Sequence, residues 1–459
     1  MKQTSKHTDK SLISNWVADE EGSMTVLSIF FVLVVLIVGG MAMDFNKAIS
    51  RRTQLQTTAD TAAHAALYTR ETQTEDEAKS KAMATVSGML PESQFGVQAL
   101  LKTDINFGKW DLENASFVVD ESSKTAVRVR AQMVKSRGNA SRNLLLHLID
   151  RKKIDIGTES VYSTYFPGCF TEGFVAEQVV DIQSNNSFGD GFCIHSNNYV
   201  SLNQNNYFEP GTVVSMPNIN DLDMPNSGFE KNEGLGTALR QGEYRLRILG
   251  QLPNIIASLW NGEAEHLPPY VTPNRLHDLD PDDFPSLPEG ANAPKGSKDS
   301  FTPFNFKHNA VNRLICYSSQ GITLQAGVYK NFVFVTDCEV KFANGVVLED
   351  VVVATTNTSA TSLNSPQGLQ IGRDDDCAPG GGATLMTMGG FKAAASLSVF
   401  NGQILAEADI IFSANADGVK GASFVSNGEI EGTSNMNMGF CKGNGMENAY
   451  RAPYFRMVN

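Results

Sequence analysis

Positive charge is scarce in this sequence: 37 Lys and Arg stand against 50 Asp and Glu over 459 residues, a formal net charge of −13. That balance argues against a generic nucleic-acid binder. Cysteine is absent from the first 166 residues, and all six (Cys169, Cys193, Cys316, Cys338, Cys377, Cys441) lie beyond them. There is no CxxC pair, P-loop, GxGxxG turn, HExxH helix or GxSxG elbow. The short motifs of nucleotide binding, zinc proteolysis and hydrolase chemistry are therefore missing. With 41% apolar and 19% charged residues, 39 Gly and 17 Pro, the composition is globular rather than disordered or collagen-like. Length alone allows about three domains. Residues 1–166 carry 20 basic and 19 acidic side chains, whereas the remainder carries 17 and 31. Charge and cysteine thus divide the chain near the same place.

What is present first is an uncharged run, MTVLSIFFVLVVLIVGGMAM at 24–43, bracketed by Glu21 and Asp44. As a helix it is roughly 30 Å long, the thickness of a bilayer's hydrocarbon core, and predicts one transmembrane helix. It is too long for the core of a cleaved signal, and Gly39-Gly40-Met41-Ala42 makes a poor cleavage site. Lys2, Lys6 and Lys10 precede the span and Lys47, Arg51 and Arg52 follow it, so the positive-inside count is a tie. An even number of cysteines, all on one side, fits disulfides in an oxidising compartment. The expected topology is a cytoplasmic tail at 1–23 and a periplasmic bulk, on a bacterial inner membrane.

Residues 44–67 contain neither Gly nor Pro, so the helix is expected to run on past the bilayer. Leu55, Ala59, Ala62, Ala63 and Ala66 form a small-residue stripe that permits close approach of another helix, or packing within its own domain. Gly22, the apolar span, the polar stretch from Asp44 to Arg52, Leu55-Gln56 and Ala59-Asp60-Thr61-Ala62-Ala63 together resemble the N-terminal signature of TadE/TadG-like proteins. These belong to the tight-adherence (Tad, or Flp) pilus assembly system. The likeness continues through ETQTEDEAKSKAMATVSGML, read as a second helix stopped by Pro91, and through INFGKWD and AVRVRAQ, similar to TadG-related strands. In AVRVRAQ, Val127, Val129 and Ala131 alternate with Arg128, Arg130 and Gln132, an independent strand signal. A short apolar helix (NLLLHLI) and a closing strand (ESVYSTY) complete a small α+β unit over 44–166. Leu27 stands where prepilin-type processing wants Glu, and the DxSxS of a von Willebrand A-type metal site does not occur.

From 167 to 459 short Val-, Ile- and Phe-rich runs alternate with Gly, Asn and Asp, the pattern of an all-β domain. Asn185-Asn186, Asn197-Asn198 and Asn205-Asn206 recur at a spacing suited to coils of about 20 residues, whose amides can align into ladders. Strands without hairpin turns favour a right-handed parallel β-helix over a sandwich. Leucines at 235, 239, 246, 249 and 252 predict a helical insertion over about 233–261, broken or kinked at Pro253. Eight prolines between Pro268 and Pro303 predict an extended excursion over about 263–304. The six cysteines allow 15 pairings; neighbour pairing, Cys169 with Cys193, Cys316 with Cys338 and Cys377 with Cys441, is the one expected, since 22 to 24 residues is about one coil. The stretches IGRDDDCAPGGGA and MNMGFCKGNGMENAYRAPYFRMV are similar to envelope proteins that append such a domain to a TadG-like start.

Parallel β-helices host polysaccharide lyases and hydrolases, so carbohydrate chemistry has to be weighed. Asp374, Asp375 and Asp376 form the best carboxylate cluster, yet consecutive residues do not all converge on one ion, and a solvated turn is expected rather than a calcium site. Asp280, Asp282 and Asp283 read as surface charge. In Cys193-Ile194-His195 a disulfide would consume the thiol. The expectation is a non-enzyme without catalytic residues, cofactor or metal. It would serve assembly or anchoring of a Tad/Flp-type pilus, with the inner membrane and minor pilus subunits as partners. The alternative is an anchored polysaccharide-active or polysaccharide-binding β-helix protein with an envelope glycan as ligand.

Overall fold

A computed structural model describes residues 21–144, 146–280, 300–316 and 321–458. The chain forms two units, one from the residues up to Tyr165 plus those from Pro453 onward, the other from Phe166–Ala452. The leader at 1–20 and the part of the Pro-rich stretch at 281–299, with Asp282 and Asp283, lie outside the described residues.

The first unit is organised by one helix, α1 (Glu21–Arg70), 50 residues long and therefore roughly 75 Å. Its N-terminal part is apolar and long enough to cross a membrane, and the side chains from Met24 to Val38 project outward, as lipid contact requires. Past Asp44 the pattern changes to one buried face. Leu55, Ala59, Ala62, Ala63, Ala66 and Leu67 are fully buried in a core shared with α2 (Glu75–Thr85) and a β-sheet. Small residues there let the helix lie close to the sheet, and the contact removes apolar surface from water. Thr74 starts α2 through a capping box with Glu77, and the helix ends at Thr85 rather than at Pro91.

The sheet is antiparallel. It contains β1 (Ile105–Asp111), β2 (Ser116–Val119), β3 (Ala126–Met133) and β4 (Ile156–Tyr165) in the order β2-β1-β3-β4. Val127, Val129 and Ala131 face the core. The fifth strand is the chain's own end, Tyr454–Met457, pairing Tyr454 with Tyr165 and Met457 with Tyr162. The sequence reading placed 453–459 in the β domain, but these residues return to the first unit. They cover the edge of β4, whose N–H and C=O groups would otherwise stand open. The segment NLLLHLI is not an α-helix but forms a 3-10 turn at Leu146–Ile149, between the paired residues Ser141–Arg142 and Lys153–Ile154.

The second unit is a large sheet of parallel strands in three rows. In one row Cys193 pairs with Gly173 on one side and Val213 on the other. In the next, Val200 pairs with Val180, and in the third, Phe208 pairs with Phe188. Inward side chains form one continuous apolar core, including Phe188 stacked on Phe208 with centroids 5.0 Å apart.

The rows do not follow chain order. Ser423 pairs with Gly173, Ile430 with Val180 and Met438 with Phe188, so the last strands lie beside the first. From Gly173 the first row runs one way to Leu239–Gln241. It resumes at Leu276–Asp278 on the far side and returns through Val311–Leu314, Gly327–Thr336 and onward to residue 426. The crossover carries α3 (Leu252–Asn261), whose start contains Pro253. A proline in a first turn forfeits no helical hydrogen bond, so it opens the helix instead of kinking one spread over 233–261. The expected proline-rich excursion also contains two strands, Leu276–Asp278 and Ser300–Phe301, each in parallel register.

A column of hydroxyls lines one corner. Thr336, Thr355 and Thr387, then Ser426 and Ser196, stack through successive pairings with Ala406 and Ala176 between them. Each hydroxyl accepts the N–H two residues on, from Cys338, Asn357, Gly389, Gly428 and Asn198 respectively. Four of them also donate to a carbonyl of the neighbouring strand's turn: Thr355 to Cys338, Thr387 to Asn357, Ser426 to Ala408 and Ser196 to Gln178. Buried backbone groups at the turn are satisfied in this way. A second corner carries amides, Asn205 Nδ2 to Asn185 and Asn185 Nδ2 to Asn435. All three have left-handed backbones, which Asn tolerates. Asn197 stands apart from this ladder.

Candidate functional site

In the TadE/TadG-like segment the polar residues are joints of the first unit. Asp44 is 4% exposed, and its two carboxylate oxygens accept N–H groups from Leu144 at 2.6 Å and Leu146 at 2.8 Å. Lys47 donates to the Arg142 carbonyl at 2.9 Å, and Gln56 to Asp60 and to the Glu159 carbonyl. The stripe of Leu55, Ala59, Ala62, Ala63 and Ala66, weighed as a docking face for other subunits, is occupied by the protein's own sheet and α2. Its small side chains serve internal packing, so it is not open to a partner.

The six cysteines form three disulfides, Cys169 with Cys193, Cys316 with Cys338 and Cys377 with Cys441. Their Cα separations are 4.9, 5.1 and 5.6 Å. Asp337 lies with Cys316 and Cys338 in a group compact enough for a metal, but the two sulfurs are bonded to each other and Asp337 accepts the Cys316 N–H.

The Asp374–Asp376 turn is occupied by cations of the protein. Arg373 Nε donates to Asp375 at 2.6 Å, and Asp376 pairs with Lys420, which holds the Asp376 carboxyl below its usual range. The three carboxylates do not converge on a common point: two point to different cations.

Cys193 and His195 lie on the same side of their strand, with Ile194 in the core. Spaced by two residues on a strand, both point away from that core. His195 is fully buried, with Nδ1 2.7 Å from Ser215 Oγ and Nε2 2.8 Å from Asn197 Oδ1. Asn197 Nδ2 donates to Glu177 and to the Tyr244 carbonyl, while Asn197 Oδ1 also accepts the Tyr244 N–H. The amide orientation is therefore fixed, Nε2 carries the imidazole proton, and Nδ1 accepts from Ser215. Burial pushes the His195 pKa down. Tyr244, from the crossover, covers the imidazole edge-on at 4.7 Å. Sequence reasoning missed this chain because Tyr244 and Ser215 come from segments far from His195.

The outward side of the second row presents carboxylates. Glu431 pairs with Asp181, Asp181 with Ser201, and Ser201 bridges to Asp223. Burial raises the Asp181 pKa and the Asp223 charge raises it further, against the Ser201 hydrogen bond. The column is exposed at Asp223 and Glu431.

Taken together, the chain joins one apolar helix long enough to span a membrane to a mixed α/β unit and a large, mostly parallel, disulfide-linked β-sheet unit. Residues 173–442, more than half of its length, match the domain of unknown function DUF7867, and the chain belongs to that family. Residues 22–78 match the Flp pilus-assembly TadE/G-like family. Searches of curated proteins and of solved structures return no match.

Proposed function

We propose that this protein is a non-catalytic envelope component anchored by α1 in the bacterial inner membrane, N-terminus cytoplasmic and bulk periplasmic, that assists assembly or anchoring of a Tad/Flp-type pilus. The observation that carries the reading is the TadE/G-like match over 22–78. That segment contains the apolar span and the first part of the helix that organises the first unit. Three disulfides support an oxidising compartment. The β unit reads as a right-handed parallel β-helix, supported by three parallel rows and by corner ladders of hydroxyls and amides. It would supply an elongated binding surface for other pilus subunits. Deleting the gene should abolish or thin surface pili and reduce adhesion, both restored by complementation. Normal pili and adhesion in the deletion strain would refute the assignment.

One observation favours a second reading, a glycan-binding or glycan-active surface: the outward column of Asp181, Ser201, Asp223 and Glu431. Paired carboxylates at suitable separation are the machinery of glycoside hydrolysis. Incubation with uronate-rich and neutral glycans, comparing the wild type with Asp181→Asn, decides between the two.

A further inference from the structure

The apolar run ends at Met43, and the next residue, Asp44, fixes something to the helix at that height. Its carboxylate holds the N–H groups of Leu144 and Leu146, and Lys47 holds the Arg142 carbonyl. These belong to the hairpin 141–154, tied across its base by Ser141 with Ile154 and Arg142 with Lys153. Asn143 adds two bonds, its N–H to the Lys152 carbonyl and its Nδ2 to the Arg151 carbonyl. The hairpin is thus built to stand where the helix leaves the hydrocarbon. There it exposes the apolar side chain of Leu144, 62% accessible.

Charge surrounds that leucine. Arg142, Arg151, Lys152 and Lys153 are exposed on the hairpin, against a single acid, Asp150. An exposed apolar residue tied to the end of a membrane span, with exposed cations on the same hairpin, is the arrangement that binds an anionic membrane surface.

We infer that the hairpin 141–154 is a membrane-surface foot: Leu144 enters the interface of the bilayer crossed by α1, and Arg142, Arg151, Lys152 and Lys153 contact anionic phospholipid headgroups. The inference rests on α1 being a span. The continuity of the hairpin with the end of that span names the occupant, the bilayer that the span crosses.

The test uses the full chain in vesicles. All six cysteines are paired, so Leu144→Cys supplies one thiol for a nitroxide label. Leu112→Cys, in the β1–β2 turn at the sheet end remote from the hairpin, supplies the control. In vesicles containing phosphatidylglycerol, the label at 144 should be accessible to dissolved oxygen and shielded from a water-soluble nickel complex, and the label at 112 should show the reverse. Replacing Arg142, Lys152 and Lys153 together by Gln should weaken docking of the foot about a hundredfold, at about fivefold for each of the three headgroup cations, and so remove most of the shielding. Equal shielding in purely zwitterionic vesicles would overturn headgroup recognition. A label at 144 as exposed to nickel as that at 112, in protein that still floats with the vesicles, would overturn the foot and leave the anchor intact. Protein that does not float would overturn both.

Discussion

Thr355 Oγ1 donates to the Cys338 carbonyl at 2.7 Å and accepts the Asn357 N–H at 3.1 Å. One buried hydroxyl therefore closes its own turn and ties it to the next strand. Thr355→Val keeps shape and β-branching but leaves a buried N–H and C=O unpaired, a loss of about 1–3 kcal/mol. Thermal or urea unfolding of the purified protein should show it, and Thr355→Ser should recover most of the difference.

Asp44 is the second point of leverage. Hydrogen bonds to an ionised carboxylate contribute about 1.5–3 kcal/mol, and here two of them hold the hairpin. Asp44→Ala should raise hydrogen exchange at the Leu144 and Leu146 amides by tenfold or more while leaving amides in β3 unchanged. Unaltered exchange at those two amides would show that the hairpin is held by other means.

The Cys377–Cys441 bond closes the longest loop, with a sequence separation of 64. On the chain-entropy model, its removal costs about 4 kcal/mol. Cys377→Ala with Cys441→Ala should lower the unfolding midpoint more than removal of either shorter pair, measured by calorimetry under non-reducing conditions.

His195 gives the protein a pH response. Its folded pKa lies below the ordinary histidine value, chiefly through burial, so below that ordinary value the unfolded chain binds a proton that the folded one resists. Its contribution to stability is complete above the unfolded pKa and is lost as pH falls towards the folded one. The melting midpoint should drop between pH 7.5 and 5, and His195→Gln should flatten that part of the profile.

The apolar span and the Leu55–Ala66 stripe were legible because they depend on local periodicity, and the Asn185 and Asn205 ladder because its spacing repeats along the chain. What the stripe packs against was not legible: burial by an own sheet and docking to a second helix impose the same small residues. Pro253 was misread for a similar reason, since the same ring that breaks a helix interior suits a helix start. Tyr454–Met457 carries only four residues, too few to announce a partner 289 positions earlier in Tyr165. The His195 chain depends on Tyr244, brought over it by a crossover that no local pattern specifies.

The first strand of the β unit has a neighbour that is made last. Asn185 meets Asn435 across 250 residues, so the edge beginning at Gly173 stays open until nearly all of the unit has emerged. Closing such a loop carries a large entropy and slows folding, and an open parallel edge invites pairing with other chains. Folding of this protein therefore has a vulnerable interval set by the order in which its strands become available. During that interval, how fast the last strands reach the open edge matters more than the final stability of the stack.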